Sequence, residues 1–270
     1  MTLTKTFKAF ALTAAFAFAF AAATAQAADP AKTELTVSTS QGPYSDLFLK
    51  GVKPILEKEG YTIKAVNLSD LLQADFALAD GEVDFNVEQH TAYMNHFNKT
   101  QDAKLVALAP VPTVLAGIYP GAKKSLADLK DGDHFAIPND AANTARALAI
   151  LQKAGLIKID PAKNLATVTV NDIVENKRNL RFTEMKSLNI PSVATDFDYI
   201  VITGSIVYNA KIDPKSSLLN EDIQPYLMLQ LVVNGPNKDD VWAKDIVKAY
   251  QSKEFREYLK ANNNGLWYYP

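Results

Sequence analysis

The sequence predicts an α/β protein. Segments with apolar residues at every second position alternate with segments whose apolar residues recur at three and four, and Gly or Pro falls at the joins. Bulk composition agrees: 270 residues, 48% hydrophobic and 21% charged, suffice for one large core or for two lobes.

The chain opens with Lys5 and Lys8, followed by an uncharged Ala- and Phe-rich run from Ala9 to Ala23. Ala25-Gln26-Ala27 then supplies small residues at a cleavage point, so residues 1–27 read as a secretory signal peptide and Ala28 as the mature start. The run is about 15 residues, short of the ~20 a membrane-spanning helix needs. Glu34 to Thr39 alternates as a strand. Tyr44 to Glu59 places Leu47, Phe48, Val52, Ile55 and Leu56 at helical spacing, and Gly60 ends that helix. A strand at Thr62 to Asn67, a helix at Leu71 to Ala79, a strand at Val83 to Val87 and a helix at Thr91 to Lys99 follow.

Leu105 to Leu108 and Val114 to Tyr119 read as strands. Ser125 is placed to cap a short helical turn, with Asp128 at its third position. His134 to Ile137 is a strand ended by Pro138, and Ala142 to Ala154 is a helix closed by Gly155. Further strands are expected at Tyr199 to Thr203 and Tyr226 to Val233. One last helix, Asp239 to Leu259, would bury Val241, Ile246, Val247, Tyr250, Phe255 and Leu259. Strands alternating with helices favour mostly parallel sheets.

Composition excludes several functions. A net charge of -2 gives no bias toward nucleic acid or anionic membrane. No cysteine means no disulfide, thiolate metal site, catalytic thiol or cysteine-linked lipid, which suits a soluble carrier in a Gram-negative periplasm. No G-x-S-x-G elbow, H-E-x-x-H helix or paired-carboxylate pattern points to an enzyme.

Several segments, in order, resemble the NlpA family of methionine-binding lipoproteins. They are TVSTSQGPYSD (Thr36 to Asp46), ALADGEVDFNVEQHTAYM (Ala77 to Met94), KKSLADLKDG (Lys123 to Gly132) and AIPNDAANTARALAILQKAGLIKI (Ala136 to Ile159), then NDIVENKRNLRF (Asn171 to Phe182) and VKAYQSKEFREYL (Val247 to Leu259). The resemblance implies a two-lobed Venus-flytrap binding protein whose chain crosses twice between α/β lobes, with the ligand between them. Residues 28–117 with 228–270 would form lobe 1, and 118–227 lobe 2. It also implies a small-molecule ligand, an ABC permease as partner, a monomer, no cofactor and no nucleic acid.

An amino acid offers a carboxylate, an ammonium and a side chain, and each needs its own partner. Arg146 presents a planar fork that matches a carboxylate, and Asn143 sits one turn before it. An arginine off the apolar stripe of a helix is ordinarily solvated; it is the resemblance that assigns Arg146 and Asn143 to ligand. Asn86 and His90 fit the family pattern too, with a helix cap as the other reading of His90. No carboxylate or second histidine at ligand spacing accompanies His90, so no metal is expected. Tyr44, Tyr93 and Tyr119 are candidate walls, although most of the 11 tyrosines must be structural.

The departures from the family cluster in the pocket. Glu88 stands where an aromatic is usual, and Leu71 replaces another. VPTVLAG (Val111 to Gly117) replaces the usual THxEPMG. VITGSI (Val201 to Ile206) replaces VINxNY, so Thr203 and Ser205 stand for asparagines. A carboxylate where a thioether would lie is costly. The expectation is therefore a ligand other than methionine, polar or cationic at its far end, with Glu88 as its partner. The alternatives are a Glu88 turned outward or paired with a lysine, methionine itself as cargo, or a surface interaction protein that kept the fold without a ligand.

Overall fold

A computed structural model describes residues 27–68 and 70–269. The signal-peptide expectation, apart from Ala27, lies outside the described residues.

The chain begins with β1 (Glu34–Thr39), which leads into α1 (Pro43–Leu47), a π-helical turn at Phe48–Val52 and α2 (Lys53–Lys58). The single helix expected at 44–59 is thus wound unevenly. Gly51 lies in the widened turn, where a Cβ would come within 2.7 Å of the Tyr258 ring. Next come β2 (Thr62–Asn67), α3 (Leu71–Ala79), β3 (Phe85–His90), α4 (Thr91–Gln101) and β4 (Leu105–Pro110). The strand expected at 114–119 is two strands, β5 (Thr113–Val114) and β6 (Gly117–Pro120), which belong to different sheets.

The second lobe continues with β7 (His134–Pro138), α5 (Ala141–Lys153), the paired short strands β8 (Lys158–Ile159) and β9 (Ile173–Glu175), and β10 (Arg181–Met185). It closes with β11 (Tyr199–Ile202), α6 (Gly204–Asn209) and β12 (Leu219–Asn220). The chain then returns through a 3-10 turn at Pro225–Leu227 to β13 (Leu229–Asn234), α7 (Val241–Gln251), α8 (Lys253–Asn262) and β14 (Trp267–Tyr268). The expected final helix is broken at Ser252. That residue is extended (φ -66°, ψ 156°), and its side chain caps α8 by accepting from the Phe255 N–H. Val241, expected in the buried stripe, is the first residue of α7 and is exposed; Trp242 and Ala243 turn inward instead.

Two five-stranded sheets result, β2-β1-β3-β13-β4 and β10-β7-β11-β6-β12. Each is mixed rather than mostly parallel. β1–β2, β1–β3, β7–β10 and β7–β11 run parallel, while β13 and β6 pair antiparallel with both their neighbours. The alternation expected of a strand places one core on each face of each sheet. In the second sheet Phe135 and Ile137 face α5 together with Ile118, while Ala136 and Tyr119 pack on the other side with Ile206 and Val207. In the first, Leu35, Val37 and Phe85 pack against Trp242 and Phe255, and Val232 packs with Leu78 and Phe97 on the far side. Burying each of the branched aliphatic and phenylalanine side chains among them contributes roughly 1.5–3 kcal/mol.

The chain crosses between sheets twice, from β4 to β6 and from β12 to β13. The crossings are tied to each other, because Glu221 donates its N–H to the Ala116 carbonyl at 2.9 Å. β14 pairs with β5, so the C-terminal residues brace the first crossing. Between the lobes the Tyr208 hydroxyl donates to Asp46 at 2.5 Å, and Gly204 abuts Val114 so closely that a Cβ would lie 2.5 Å from the Val114 Cβ.

Candidate ligand-binding cleft

A cavity of about 240 Å³ lies between the sheets. The first lobe lines it with Tyr44, Leu71, Glu88, Gln89, His90 and Tyr93, and the second with Asn143, Arg146, Thr203 and Ser205. Seven of the nine candidate site residues therefore meet in one place, Tyr44, Glu88, His90, Tyr93, Asn143, Arg146 and Thr203, together with the departures Leu71 and Ser205. Asn86 and Tyr119 are elsewhere, both buried. Asn86 donates to the Asp75 carboxylate at 2.9 Å beneath the first sheet. Tyr119 lies in the core between β6 and α6, where burial pushes its hydroxyl up to about 12.

A bulge explains the placement of Asn86. Gln230 and Val232 of β13 oppose Gln89 and Asn86 of β3, so β3 carries one residue in excess. Asn86 and Gln89, three apart, thus reach the same carboxylate, Asp75. Strict alternation would put them on opposite faces. β3 also runs on to His90, past the expected end at Val87, and carries Glu88 and His90 into the cleft lining.

Glu88 neither turns outward nor meets a lysine. Its Oε1 accepts from the Ser40 N–H at 3.0 Å, from the Ser40 hydroxyl at 2.9 Å and from the Ser45 hydroxyl. Ser40 directly follows β1, and Ser45 lies in the first turn of α1. His90 has two places in the structure. It caps α4, its Nδ1 accepting from the Tyr93 N–H at 3.1 Å, and it lines the cleft. Burial first, then the Arg146 charge, push its pKa down to about 4, so it is neutral near pH 7. With Nδ1 accepting, the proton sits on Nε2.

Tyr44 packs edge-on against Trp267, ring centroids 5.7 Å apart, and its hydroxyl accepts from the Val114 N–H at 3.3 Å. Burial raises its pKa to about 12, so it enters the site as a neutral wall.

Arg146 is held by a residue the sequence reading missed. Its Nε donates to Glu221 Oε2 at 3.0 Å, its Nη2 donates to Glu221 Oε1, and its Nη1 lies 3.4 Å from Asn143 Oδ1. The two side chains are 13% and 6% exposed, a nearly buried bidentate pair. Burial opposes the guanidinium charge, but the Glu221 carboxylate outweighs it and the pKa of Arg146 is raised. Glu221 Oε1 also accepts from the Ala116 N–H at 2.7 Å. In sequence Glu221 is one half of an ordinary Glu-Asp pair in a loop, with no signal of this role.

A second cavity of about 700 Å³ lies beyond the Arg146–Glu221 pair and shares His90 and Arg146 with the first. Its lysines are occupied, Lys153 by Asp222 and Lys163 by Asp172, and α5 lines it with Ala142, Ala145 and Ala149. Among the described residues no cluster of three or more His, Asp or Glu side chains is arranged to hold a metal ion, and no helix is long and apolar enough to cross a membrane.

Comparison with known proteins gives a consistent picture. The family model described as NlpA lipoprotein matches residues 35–268. The D-methionine-binding lipoprotein MetQ of Escherichia coli (strain K12) is 34% identical, with 77% of this chain and 78% of that protein covered. The methionine-binding lipoprotein MetQ of Bacillus subtilis (strain 168) is 31% identical over 88% of each chain. Among solved structures, a nutrient binding protein from Burkholderia cenocepacia bound to methionine is 33% identical, with a TM-score of 0.76, covering 87% of this chain and all of that one.

Proposed function

The chain belongs to the NlpA lipoprotein family, and on that premise we propose that it is the solute-binding protein of an ABC importer. It works in the periplasm as a soluble monomer, catalyses no reaction, and carries a small amino-acid-like ligand in the cleft between lobes 28–117 with 228–270 and 118–227. Arg146 and Asn143 take the ligand carboxylate. The remaining polar lining, His90, Thr203 and Ser205, orients the amino-acid head, and Tyr44 and Tyr93 enclose it.

The observation that carries the reading is that Arg146 from one lobe and Glu88 from the other line the same cavity. It also bears on the cargo. Arg146 and Glu221 cancel, and His90 is neutral, which leaves the Glu88 carboxylate as the net charge of the lining. A zwitterionic head adds no charge, so a cationic or strongly polar far end is the best electrostatic match. The ligand is on this reading not methionine, and Glu88 is its distal partner. A second reading keeps methionine, favoured by the Burkholderia cenocepacia relative bound to it. The three serine donors on Glu88 are then what makes the carboxylate tolerable beside a thioether.

Native mass spectrometry of the freshly purified mature protein, followed by release of what is bound, separates these readings. One cationic or polar amino acid per chain is the expected result. Methionine in its place would retain the carrier role and overturn the charge argument. A chain that is empty, and whose melting point no amino acid raises, would overturn the carrier role in favour of an interaction protein.

A further inference from the structure

A guanidinium has two edges on which a carboxylate sits in a planar fork, Nε with Nη2 and Nη1 with Nη2. Glu221 takes the first edge of Arg146. The second faces Asn143, which lines the ligand cleft beside it. Glu221 is itself held fast. Its Oε1 accepts from the Ala116 N–H at 2.7 Å, and its own N–H donates to the Ala116 carbonyl at 2.9 Å. Ala116 lies on the first crossing and Glu221 on the second. The angle of the guanidinium plane is thereby fixed by the two segments on which the lobes hinge.

We propose that Glu221 is a positioning residue for anion recognition: by holding the Nε/Nη2 edge of Arg146, it presents the Nη1/Nη2 edge to the carboxylate of the ligand. This rests on reading the cleft as an amino-acid site. The assignment differs from two others that the same contact permits. A merely structural Glu221 would support the hinge without affecting what the cleft distinguishes. A competing Glu221 would occupy the place of the ligand carboxylate and be displaced by it. Displacement is disfavoured because both oxygens of Glu221 are engaged and its side chain is only 6% exposed.

Binding of a free acid and of its α-carboxamide tells these apart, since only the acid uses the fork. The probes are L-lysine, L-arginine and L-methionine with their α-carboxamides, titrated calorimetrically into the mature wild type, Glu221→Gln and Glu221→Asp. Gln keeps an acceptor for Ala116 but loses the paired charge. Asp keeps the charge on a shorter arm and serves if the Gln variant, with a buried unpaired Arg146, fails to fold. In the wild type the acid should bind better than its carboxamide by roughly tenfold or more, the worth of charge-assisted hydrogen bonds. In Glu221→Gln that preference should shrink to about threefold or less, with the carboxamide nearly unaffected, and in Glu221→Asp it should fall partway. Equal weakening of acid and carboxamide would overturn the proposal in favour of a structural role. Tighter acid binding in Glu221→Gln would overturn it in favour of competition. A wild type that binds none of the probes would overturn the amino-acid reading and the proposal with it.

Discussion

Glu88→Gln isolates the carboxylate that sets this cleft apart, and its effect on the ligand-free protein follows from the hydrogen bonds. Three donors converge on Oε1: the Ser40 N–H, the Ser40 hydroxyl and the Ser45 hydroxyl. An amide keeps the acceptor but not the charge. A hydrogen bond to a charged group contributes about 1.5–3 kcal/mol and a neutral one about 0.5–1.5, so the three together lose roughly 3 kcal/mol. An amide is also less costly to remove from water, which offsets on the order of 1 kcal/mol at a half-buried position. The net loss is then about 2 kcal/mol, and in a chain of this size that lowers Tm by about 4–8 °C. Calorimetric melts of the ligand-free protein at pH 7 read this directly. Ser45→Ala should lower Tm in its own right, and combined with Glu88→Gln it should cost less than the two separately, because the second change removes a bond already weakened. A Glu88→Gln protein that melts at or above the wild-type temperature would refute the reasoning: the serines would then fail to compensate the carboxylate.

Asp75 is fully buried, and burial raises its pKa from 3.8 to about 6 against the Asn86 and Gln89 amides. The folded chain holds a proton that the unfolded chain releases, so stability falls as pH rises from about 4 to about 6 and the penalty is complete above that. Asp75→Asn should therefore stabilise at pH 7 by roughly 1–3 kcal/mol in urea melts, with the gap closing toward pH 4; a gap that ignores pH counts against it. His90 has the opposite sign. Its folded pKa of about 4 lies below the ordinary 6.5, so the associated stability is whole above pH 6.5 and drains as pH falls toward 4. His90→Asn retains a capping acceptor and should flatten that part of the acid slope; identical slopes for mutant and wild type would contradict the assignment. Gly204→Ala puts a Cβ 2.5 Å from the Val114 Cβ and 2.8 Å from the Leu115 carbonyl oxygen. A cost of roughly 1–3 kcal/mol in thermal melts is expected, and wild-type stability would show that the contact between α6 and the first crossing yields easily.

The elements legible in sequence were those whose pattern is local. β1, β2, α3 and α5 lie within a residue or so of their expected ends, because the strands show local alternation between breakers and each helix pairs an apolar stripe with a capping Asp. The failures had non-local causes. Residues 114–119 are apolar throughout, and nothing in that run says that the chain changes sheets between Val114 and Gly117. β10 and α6 were not separated from their surroundings. The bulge in β3 depends on its register with β13, more than a hundred residues away, and it decides that Asn86 supports Asp75 instead of lining the cleft. Glu88 stands out in sequence as a charge in an aromatic's place, whereas Arg146, a charge off an apolar stripe, is singled out only by the resemblance. Glu221, Ser40 and Ser45 do not stand out. Their importance comes from what they bond, which only the fold reveals.

The strand order of the first sheet also constrains how the chain can reach its native state. β13 lies between β3 and β4. A nascent chain that has emerged only through β12 holds every strand of the second sheet, yet it leaves two interior edges of the first with their N–H and C=O groups unpaired. β4 is apolar along its length, and β3 adds Phe85 and Val87, so these unpaired edges are a template on which unrelated chains can add. The middle of the polypeptide can therefore mature early, while its beginning must wait for residues 229–234. Any interruption of synthesis before that point yields a species half folded and half adhesive, so holding the chain unfolded until its full length is available protects it from aggregation.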